Sequence, residues 1–372
     1  MAKKKRNHND AHKKDIFTAK IKEYDQQCVL YTDFTAKVEG LVRDLLKEDN
    51  LRIHSITSRI KNRAALRVKL DRSEEKYTKL SDVTDISGIR IITYLADEVD
   101  KAAKLIQQEF DIDTDHSVDK RTLLDPDRFG YLSLHYVVKL SPARLQLTEY
   151  QRFKGCKVEI QIRSILQHTW AEVEHDLGYK GKEAVPREIR RRFSRLAGLL
   201  ELADDEFTEI RDSLLQYETS LPQRIIDAPA SVLIDKASLW AFIKNSPLLK
   251  EIERKMVSRR KGEIIKDEEY VGRLVDKLHY VGLKTVADIV SSLEELGEVI
   301  VKFRKELIKD TTTVFPSGVS LFYLCYTLVA RDKSEDGLLS YLENFELGPP
   351  KQRKSIAQRV FSAYKQAITQ RK

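Results

Sequence analysis

The sequence predicts an α+β protein in which a mixed β-sheet flanked by helices is followed by a smaller, mostly helical C-terminal domain. Three runs rich in branched and aromatic apolar side chains predict strands: residues 89–95 (IRIITYL), 134–140 (LHYVVKL) and 157–164 (KVEIQIRS). Helical periodicity returns after Ser164. A chain of 372 residues is longer than one hydrophobic core usually fills, so we expect two domains.

The elements around these strands follow in chain order. Residues 16–50 place apolar side chains at helical spacing without a proline, which indicates helices. The basic stretch 55–72 only borders on a helical pattern. Residues 97–110 (DEVDKAAKLIQQEF) predict an amphipathic helix directly after the first strand.

Prolines and a loss of periodicity indicate the domain boundary. Residues 220–231 (SLPQRIIDAPAS) contain two prolines and no amphipathic pattern. We therefore predict four segments: a basic N-terminal arm and helix (1–34), a first domain (35–220), a linker (221–229) and a helical second domain (230–372).

The charge balance favours a polyanionic partner without requiring one. The formal net charge is +8, and basic residues cluster at 3–6, 187–195, 253–261 and 351–372. Such clusters suit nucleic acid. The 58 acidic residues are interspersed along the chain, however, and charge runs of this kind also occur on solvated helix faces.

Other classes of protein are disfavoured. No apolar run approaches the roughly 20 residues that a membrane span needs, and the basic N-terminus lacks the apolar core of a secretory signal. Three widely spaced cysteines without CxxC spacing indicate neither a disulfide framework nor a zinc site. We therefore expect a cytoplasmic protein.

Two carboxylates at the predicted strands suggest a metal site. Asp85 precedes the first strand, and Glu159 shares one face of the last strand with Gln161 and Arg163. Two acids suffice for Mg²⁺, which takes its other ligands from water and phosphates. Tyr131 could stack on a base, although taken alone a strand glutamate is more often exposed or ion-paired and a Gly-Tyr pair more often forms a turn. The basic residues that could clamp a triphosphate are Arg59, Lys61, Lys69, Arg90 and Arg163.

Five short motifs together resemble one known family. They are RIK at 59–61, VTDISGIRI at 83–91, FGYLSLH at 129–135, EIQIR at 159–163 and HTWAEVEHDLGYK at 168–180. In order and spacing the set resembles the synthetase domain of the RelA/SpoT family, which has a nucleotidyltransferase-like fold. The resemblance covers residues 35–220 and lacks the family's histidine–aspartate hydrolase domain, so the chain is similar to the small alarmone synthetases.

The resemblance implies an enzyme, a pyrophosphokinase that transfers the β,γ-pyrophosphate of ATP to a nucleotide 3′-hydroxyl and releases AMP. It implies that Asp85 and Glu159 hold Mg²⁺ and that Glu159 accepts the hydroxyl proton. A weakly nucleophilic hydroxyl needs such a base and metal. The implied ATP-binding residues are Arg59, Lys61, Lys69 and Arg90, and the implied acceptor-binding residues are Tyr131, His135, Gln161 and Arg163.

Two departures from the family pattern bear on the acceptor. Ala65 replaces a serine, and residues 125–129 read DPDRF where synthetases of guanosine alarmones tend to carry lysine and asparagine. A toxic subgroup of small synthetases resembles this chain in its FGY motif, and its members pyrophosphorylate the 3′-terminal adenosine of the tRNA CCA end. A tRNA needs phosphate contacts outside the active site. The candidates are Arg190, Arg191, Arg192 and Arg195.

The architecture, in which residues 230–372 follow the synthetase domain, resembles the CapRel-type toxin–antitoxin fusions of phage defence. The resemblance implies a domain that restrains the enzyme until a phage-encoded protein engages it, with Tyr323 and Tyr326 as inhibitory residues. Tyrosines three residues apart on an apolar helix also fit a hydrophobic core. Two other functions stay open: a (p)ppGpp synthetase that uses GDP or GTP as acceptor, and a catalytically inactive RNA-binding protein.

Overall fold

The computed structural model describes residues 2–72, 77–119, 133–177, 186–257, 262–307, 314–332 and 334–369, with side chains from residue 17 onward except that of residue 72. The chain divides into two compact units, Met1–Arg211 and Asp212–Lys372. Each unit has a hydrophobic core of its own. The predicted α+β class is confirmed.

The first unit is built on a six-stranded mixed sheet. The strands are β1 (Ile53–Ile60), β2 (Ser87–Thr93), β3 (Phe110–Ile112), β4 (Val118–Asp119), β5 (Leu134–Leu140) and β6 (Val158–Ser164). Their order is β1-β2-β6-β5-β3, and β4 pairs with β5. Strands β2 and β6 run parallel, whereas the other neighbours are antiparallel.

The three strands predicted from apolar runs are confirmed at the centre of this sheet. Strand β5 has the predicted bounds, and β2 begins two residues before the predicted run. Isoleucines at alternate positions of β2 and β6 are buried, among them Ile89, Ile91, Ile160 and Ile162. Their burial leaves the polar face of β6 for the site.

Strand β1 lies in the stretch whose sequence only borders on a helical pattern. It pairs with β2 along one edge of the sheet, and Thr57, Ser58 and Arg59 are exposed. An edge strand with such side chains has no clean apolar alternation, so its sequence gives a weak strand signal. The helical character of this stretch belongs to its second half, which forms the helix α2 (Arg63–Arg72).

Four further helices begin in the first unit. They are α1 (Ala2–Glu48), α3 (Ala96–Glu109), α4 (Ile165–Asp176) and α5 (Arg187–Asp227). Ser164 joins three elements: its Oγ accepts a hydrogen bond from Gln167 N at 3.1 Å and donates one to Asp204 Oδ2 at 2.5 Å. The first bond caps α4, and the second fixes α5 against the end of β6.

Helix α5 runs through most of the predicted linker 221–229. It includes Pro222 and ends at Asp227, whereas the two compact units divide after Arg211. A proline removes one internal hydrogen bond from a helix. Leu221, next to it, is buried in the core of the second unit. Such tertiary packing stabilises a helix whose intrinsic propensity is low.

The second unit is mostly helical, as predicted. Its helices are α6 (Lys236–Asn245), α7 (Pro247–Val257), α8 (Glu268–Tyr280), α9 (Val286–Leu307), α10 (Val319–Asp332), α11 (Glu335–Asn344) and α12 (Arg353–Thr369). Two short parallel strands, β7 (Glu263–Ile265) and β8 (Val314–Pro316), form a separate sheet. None of the helices in the described ranges is long and apolar enough to span a membrane.

Candidate active site

A cavity of about 130 Å³ opens where β1, β2 and β6 lie side by side. The strand pairing places Arg59, Gly88 and Glu159 at the same level on three neighbouring strands. A side chain at position 88 would make ordinary contact with Arg59, its Cβ lying 3.6 Å from Arg59 Cγ. The glycine therefore keeps the space between Arg59 and Glu159 open. Five residues predicted for the site line this cavity: Arg59, Asp85, Arg90, Glu159 and Gln161.

Asp85 lies between two lysines at the edge of the cavity. Its Oδ2 is 3.0 Å from Lys61 Nζ and 2.8 Å from Lys69 Nζ. Burial alone would lower the pKa of Lys69, but the hydrogen bond and charge of Asp85 outweigh it, so the pKa of Lys69 is raised. Lys69 therefore stays cationic at neutral pH.

Glu159 is held by a hydrogen-bonded chain that crosses from β6 to β5. Its Oε1 is 2.6 Å from His135 Nδ1, and His135 Nε2 is 2.6 Å from Ser133 Oγ. Gln161 Nε2 donates to the same Oε1 at 3.4 Å. Burial alone would raise the pKa of Glu159, but the hydrogen bond and charge of His135, with Gln161 and Lys69, lower it below the ordinary value. Glu159 is therefore an ionised carboxylate at neutral pH.

Positive charge follows Gly88 and Glu159 along β2 and β6, at Arg90 and Arg163. Arg163 Nη2 donates to Gln161 Oε1 at 3.1 Å, and Arg90 Nη1 is 3.0 Å from Glu172 Oε1. Burial and then the charge of Arg90 lower the pKa of the Arg163 guanidinium, and the same two causes lower the pKa of His168. Two guanidinium groups that repel each other in this way are stabilised when a polyanionic ligand binds between or beside them.

The donor set fits the predicted Mg²⁺. Within the described residues, no group of three or more His, Cys, Asp and Glu side chains could hold a metal, but Mg²⁺ needs only one or two carboxylates when phosphates and water complete its shell. Asp85 Oδ1 is buried and has no hydrogen-bond partner in the described part of the chain. Asp85 and Glu159 line the same cavity, so these two carboxylates would be the protein ligands of an ion bound there.

The structure brings most of the predicted catalytic, ATP-binding and acceptor-binding residues to one region. Lys61 and Lys69 reach it through Asp85, and His135 and Arg163 through the Glu159–Gln161 chain. Tyr131 lies outside the described residues, as do the DPDRF segment at 125–129 and the end of the last motif, 178–180.

Two residues of this network were missed from the sequence. Ser133 is buried and contacts His135, and Glu172 pairs with Arg90. Ser133 and His135 lie two residues apart, which places both on one face of a strand, so the SLH motif contained a usable signal. The position of Glu172 four residues after His168 is a helical spacing, which likewise indicates a shared face.

The remaining predicted residues do not line this cavity. Arg191, Arg192 and Arg195 are exposed on α5, and Arg190 is half-buried. Tyr323 and Tyr326 are 5% and 7% exposed in the core of the second unit, where both contact the ring of Phe322. The arginines are thus accessible to a ligand, whereas the tyrosines occupy core positions.

Comparison with known proteins shows what the part of the chain that contains this cavity is similar to. A family model described as a region found in RelA/SpoT proteins matches residues 58–184. Residues 58–184 form a RelA/SpoT region. This RelA/SpoT region contains all of β2, β5 and β6 and the last three residues of β1, which include Arg59.

Relatives and solved structures match the first half of the chain. The GTP pyrophosphokinase YjbM of Bacillus subtilis (strain 168) is 27% identical over 195 residues, which are 52% of this chain and 88% of YjbM. YwaC of the same organism, also a GTP pyrophosphokinase, is 27% identical over 129 residues, 35% of this chain and 58% of YwaC. A crystal structure of small alarmone synthetase 1 from Bacillus subtilis is 25% identical and covers 52% of this chain and 98% of its own, with a TM-score of 0.43.

A GTP pyrophosphokinase family protein from Streptococcus pneumoniae gives a similar match. It is 26% identical and covers 52% of this chain and 96% of its own, with a TM-score of 0.43. The RelA/SpoT region and the curated relatives confirm the predicted enzyme class, a pyrophosphokinase of the small alarmone synthetase type.

Proposed function

We propose that this protein transfers the β,γ-pyrophosphate of ATP to the 3′-hydroxyl of the tRNA CCA end and thereby inhibits translation. The observation that carries the transfer chemistry is one cavity that combines Asp85 and Glu159 with Arg59 and Arg90. The reaction needs carboxylates that bind a metal ion and accept a proton, and it needs cationic side chains that bind a triphosphate.

Glu159 is the base in the proposed reaction. It takes the proton of the acceptor hydroxyl, whose oxygen then forms a bond to the β-phosphorus of ATP. The bond from that phosphorus to the oxygen bridging the α-phosphate breaks, and AMP leaves with the electron pair. The lowered pKa of Glu159 supports this role because a base must be ionised before it can accept a proton.

The cations around the cavity bind and orient ATP. Lys61 and Lys69, now paired with Asp85, bind phosphate oxygens, and Arg59 stacks on the adenine. Asp85 and Glu159 would hold Mg²⁺, which would supply charge neutralisation at the phosphates. Because the strands fix these groups in advance, little reorganisation is needed as charge develops.

Sequence and charge support tRNA as the acceptor. The DPDRF segment lacks the lysine and asparagine typical of guanosine-alarmone synthetases. Exposed arginines on α5, among them Arg191 and Arg192, offer phosphate contacts for an acceptor stem. Tyr131 would stack on the unpaired terminal adenine.

A second candidate is a (p)ppGpp synthetase that uses GDP or GTP as acceptor. The observation that favours it is that two of the curated relatives, YjbM and YwaC, are named GTP pyrophosphokinases. The cavity chemistry is the same for both candidates, so only the acceptor separates them.

Transfer of label from γ-labelled ATP tests both candidates at once. With Mg²⁺ present and tRNA, GDP and GTP in competition, we expect label on tRNA and none on tRNA that lacks its terminal adenosine. Arg191→Glu with Arg192→Glu should reduce tRNA labelling but not ATP binding. Lys22→Glu with Lys37→Glu, an equal charge change on exposed positions of α1, is the control. Label confined to GDP or GTP would replace the first candidate by the second.

We also propose that residues 230–372 restrain the enzyme until a phage-encoded protein engages them. Substitution of Tyr323 or Tyr326 would disturb the core as well as any inhibitory contact, so truncation is the cleaner test. We expect the full chain to leave bacterial growth unchanged and a chain ending at Asp227 to arrest it. Glu159→Gln in the shorter chain should restore growth. Arrest by the full chain in uninfected cells would contradict the restraint.

A further inference from the structure

A second cavity lies wholly within the helical unit. Its volume is about 540 Å³, within the range of roughly 300–1,000 Å³ that is common for ligand sites. The floor is apolar: Trp240 and Ile243 come from α6, Val257 from α7, and Ile264 and Ile265 from β7. Ile264 and Ile265 are 36% and 43% exposed, which leaves apolar surface uncovered.

Four cations surround this floor. Lys244, Lys250, Arg254 and Lys266 line the cavity and are exposed, and none has an ion-pair partner among the described residues. Lys255, on the same helix as Lys250 and Arg254, pairs instead with Glu251 and Glu298. The helix therefore neutralises the cation that points away from the cavity and leaves unpaired those that face it.

The carboxylate that the described residues contribute to the wall does not offset this charge. Glu253 is 3% exposed, and its Oε1 accepts hydrogen bonds from Gly318 N at 2.8 Å and from Ser320 N and Oγ. Burial raises the pKa of Glu253 above the ordinary value. Its side chain is committed to the turn before α10, so the net charge presented to a ligand is positive.

Strand β7 offers an unpaired edge beside the cavity. Its only strand partner in the described ranges is β8, and Ile265 O accepts from Ser317 N at 2.8 Å. Successive residues of a strand direct their backbone groups to opposite edges. The N–H and C=O of Ile264 therefore point away from β8, which is the arrangement that an added strand requires.

We propose that this cavity is a docking site for an extended acidic segment of a partner protein. The segment pairs with the free edge of β7, places alternate apolar side chains on the floor around Trp240, and sets its carboxylates beside Lys244, Lys250, Arg254 and Lys266. The three features are used together only by a polypeptide: a lipid leaves the strand edge unpaired, and a nucleic acid leaves the apolar floor uncovered. The docking site rests on the proposed regulation by a partner protein and specifies where that partner binds and which side chains it contacts. It is tested by binding alone, without catalysis.

Peptide selection on the full chain tests the proposal even though the partner is unidentified. A random dodecapeptide display library is enriched on the wild type and on Lys250→Glu with Arg254→Glu. The control is Lys351→Glu with Lys354→Glu, an equal charge change at exposed positions elsewhere in the unit. We expect the wild type and the control to enrich peptides that combine Asp or Glu with branched apolar residues, and the cavity variant to lose this bias.

The strongest selected peptide then gives the affinity and the mode of binding. The cavity variant should weaken binding about 10- to 100-fold, as expected for close charge pairs at an interface, and the control should change it by about twofold at most. N-methylation of alternate backbone amides in the peptide should abolish binding in only one of its two registers. Circular dichroism confirms that each variant is folded.

Three results of the peptide experiments would overturn the proposal. They are enriched peptides without acidic bias, equal affinity of the cavity variant, and tolerance of N-methylation in both registers. A twenty-nucleotide RNA or anionic lipid vesicles that bind at this site, while no peptide does, would assign it to another class of partner. Loss of pyrophosphate transfer alone would leave the docking site unaffected, so failure of the enzymatic function and failure of this site are distinguishable.

Discussion

His135 Nδ1 lies 2.6 Å from Glu159 Oε1, and the other nitrogen of the same ring lies 2.6 Å from Ser133 Oγ. An ionised carboxylate accepts only, so Nδ1 carries the proton that is donated to Glu159, while Nε2 is within hydrogen-bond distance of the Ser133 hydroxyl. Both ring nitrogens are thereby engaged. His135, predicted from the family resemblance to bind the acceptor, is placed here to orient Glu159, the proposed base.

Removal of the His135 donor should change both the orientation of the Glu159 carboxylate and its pKa. We expect His135→Ala to lower kcat of pyrophosphate transfer by about tenfold or more, because small misplacements of a catalytic group are costly. The pKa of Glu159 is lowered by His135, so it rises when His135 is removed and the acid limb of the kcat profile moves to higher pH. The base is active above its pKa, which fixes this sign.

Matched variants separate positioning from structure. His135→Asn places an amide donor near the position of Nδ1 and should recover part of the activity and return the acid limb toward lower pH. Tyr136→Phe, on the same strand and bonded to Gln107 on the other face, should change neither. An acid limb that stays in place in His135→Ala would show that His135 does not control Glu159.

Asp85 connects two lysines to the predicted metal, so its charge should decide the Mg²⁺ requirement. Asp85→Asn should reduce transfer at physiological Mg²⁺ by about 100-fold or more, since it removes one of two carboxylates that Mg²⁺ could use. ATP should still bind, because Lys61 and Lys69 lose a competing anion. Transfer measured against Mg²⁺ concentration, with ATP affinity determined separately, checks this.

Glu172→Gln is the control for Asp85. It removes a carboxylate that pairs with Arg90 outside the predicted metal set. We expect its Mg²⁺ dependence to match the wild type. A normal Mg²⁺ dependence in Asp85→Asn would exclude Asp85 as a metal ligand.

The sequence predicted the centre of the sheet better than its edges. Strands β5 and β6 have branched apolar residues on their buried faces, and their observed bounds agree with the prediction to within one residue. Edge strand β1 and the two-residue β4 depend on pairing with neighbours rather than on their own pattern. Helix α5 continues past Pro222 because Leu221 is buried, which local propensity cannot reveal.

In the candidate site, too, contacts that depend on strand pairing could not be predicted from the sequence. Motif spacing, through its resemblance to one family, indicated Asp85, Glu159 and the cations. The chain from Ser133 to Glu159 depends on the register of β5 on β6, which pairs Val137 with Glu159 and His135 with Gln161. Register is set by the turn and the buried face, so the contact could be found only in the folded chain.

Asp113 gives the first unit a pH-dependent stability. Its carboxylate is 2.7 Å from Lys157 Nζ and 2.8 Å from His116 Nδ1. Burial alone would raise the pKa of Asp113, but these two partners lower it to about 2, from an ordinary value of 3.8. The stabilisation is therefore complete above about pH 4 and is lost as the pH falls toward 2.

Asp113→Asn should remove this contribution. We expect it to lower the free energy of unfolding at pH 7 by about 1–2 kcal/mol, after allowance for solvent screening. The difference from wild type should shrink between pH 4 and pH 3, as urea titrations at each pH would show. Asp111→Asn is the control, because Asp111 is exposed two residues away. A difference that stays constant with pH would mean that Asp113 acts through packing rather than charge.

Gly318 and Gly282 allow backbone strain and side-chain crowding to be measured separately in the helical unit. Both have left-handed φ angles, +87° and +88°. A Cβ at Gly318 would lie 2.7 Å from Ile243 Cδ1, whereas one at Gly282 would meet nothing within 4 Å. Gly282→Ala should therefore cost only the left-handed backbone, about 1–2 kcal/mol. Gly318→Ala should cost about 1–3 kcal/mol more, because it also overpacks the core.

Relief of the crowding tests this account of Gly318. Ile243→Val removes Cδ1, the atom that the new methyl group would meet, at a cost of about 1 kcal/mol by itself. Combined with Gly318→Ala it should destabilise by less than the sum of the two single changes, whereas its combination with Gly282→Ala should be additive. Urea unfolding of the single variants and both pairs gives these free energies. Equal costs at the two glycines would show that the core around Ile243 yields freely and that backbone conformation alone requires glycine at position 318.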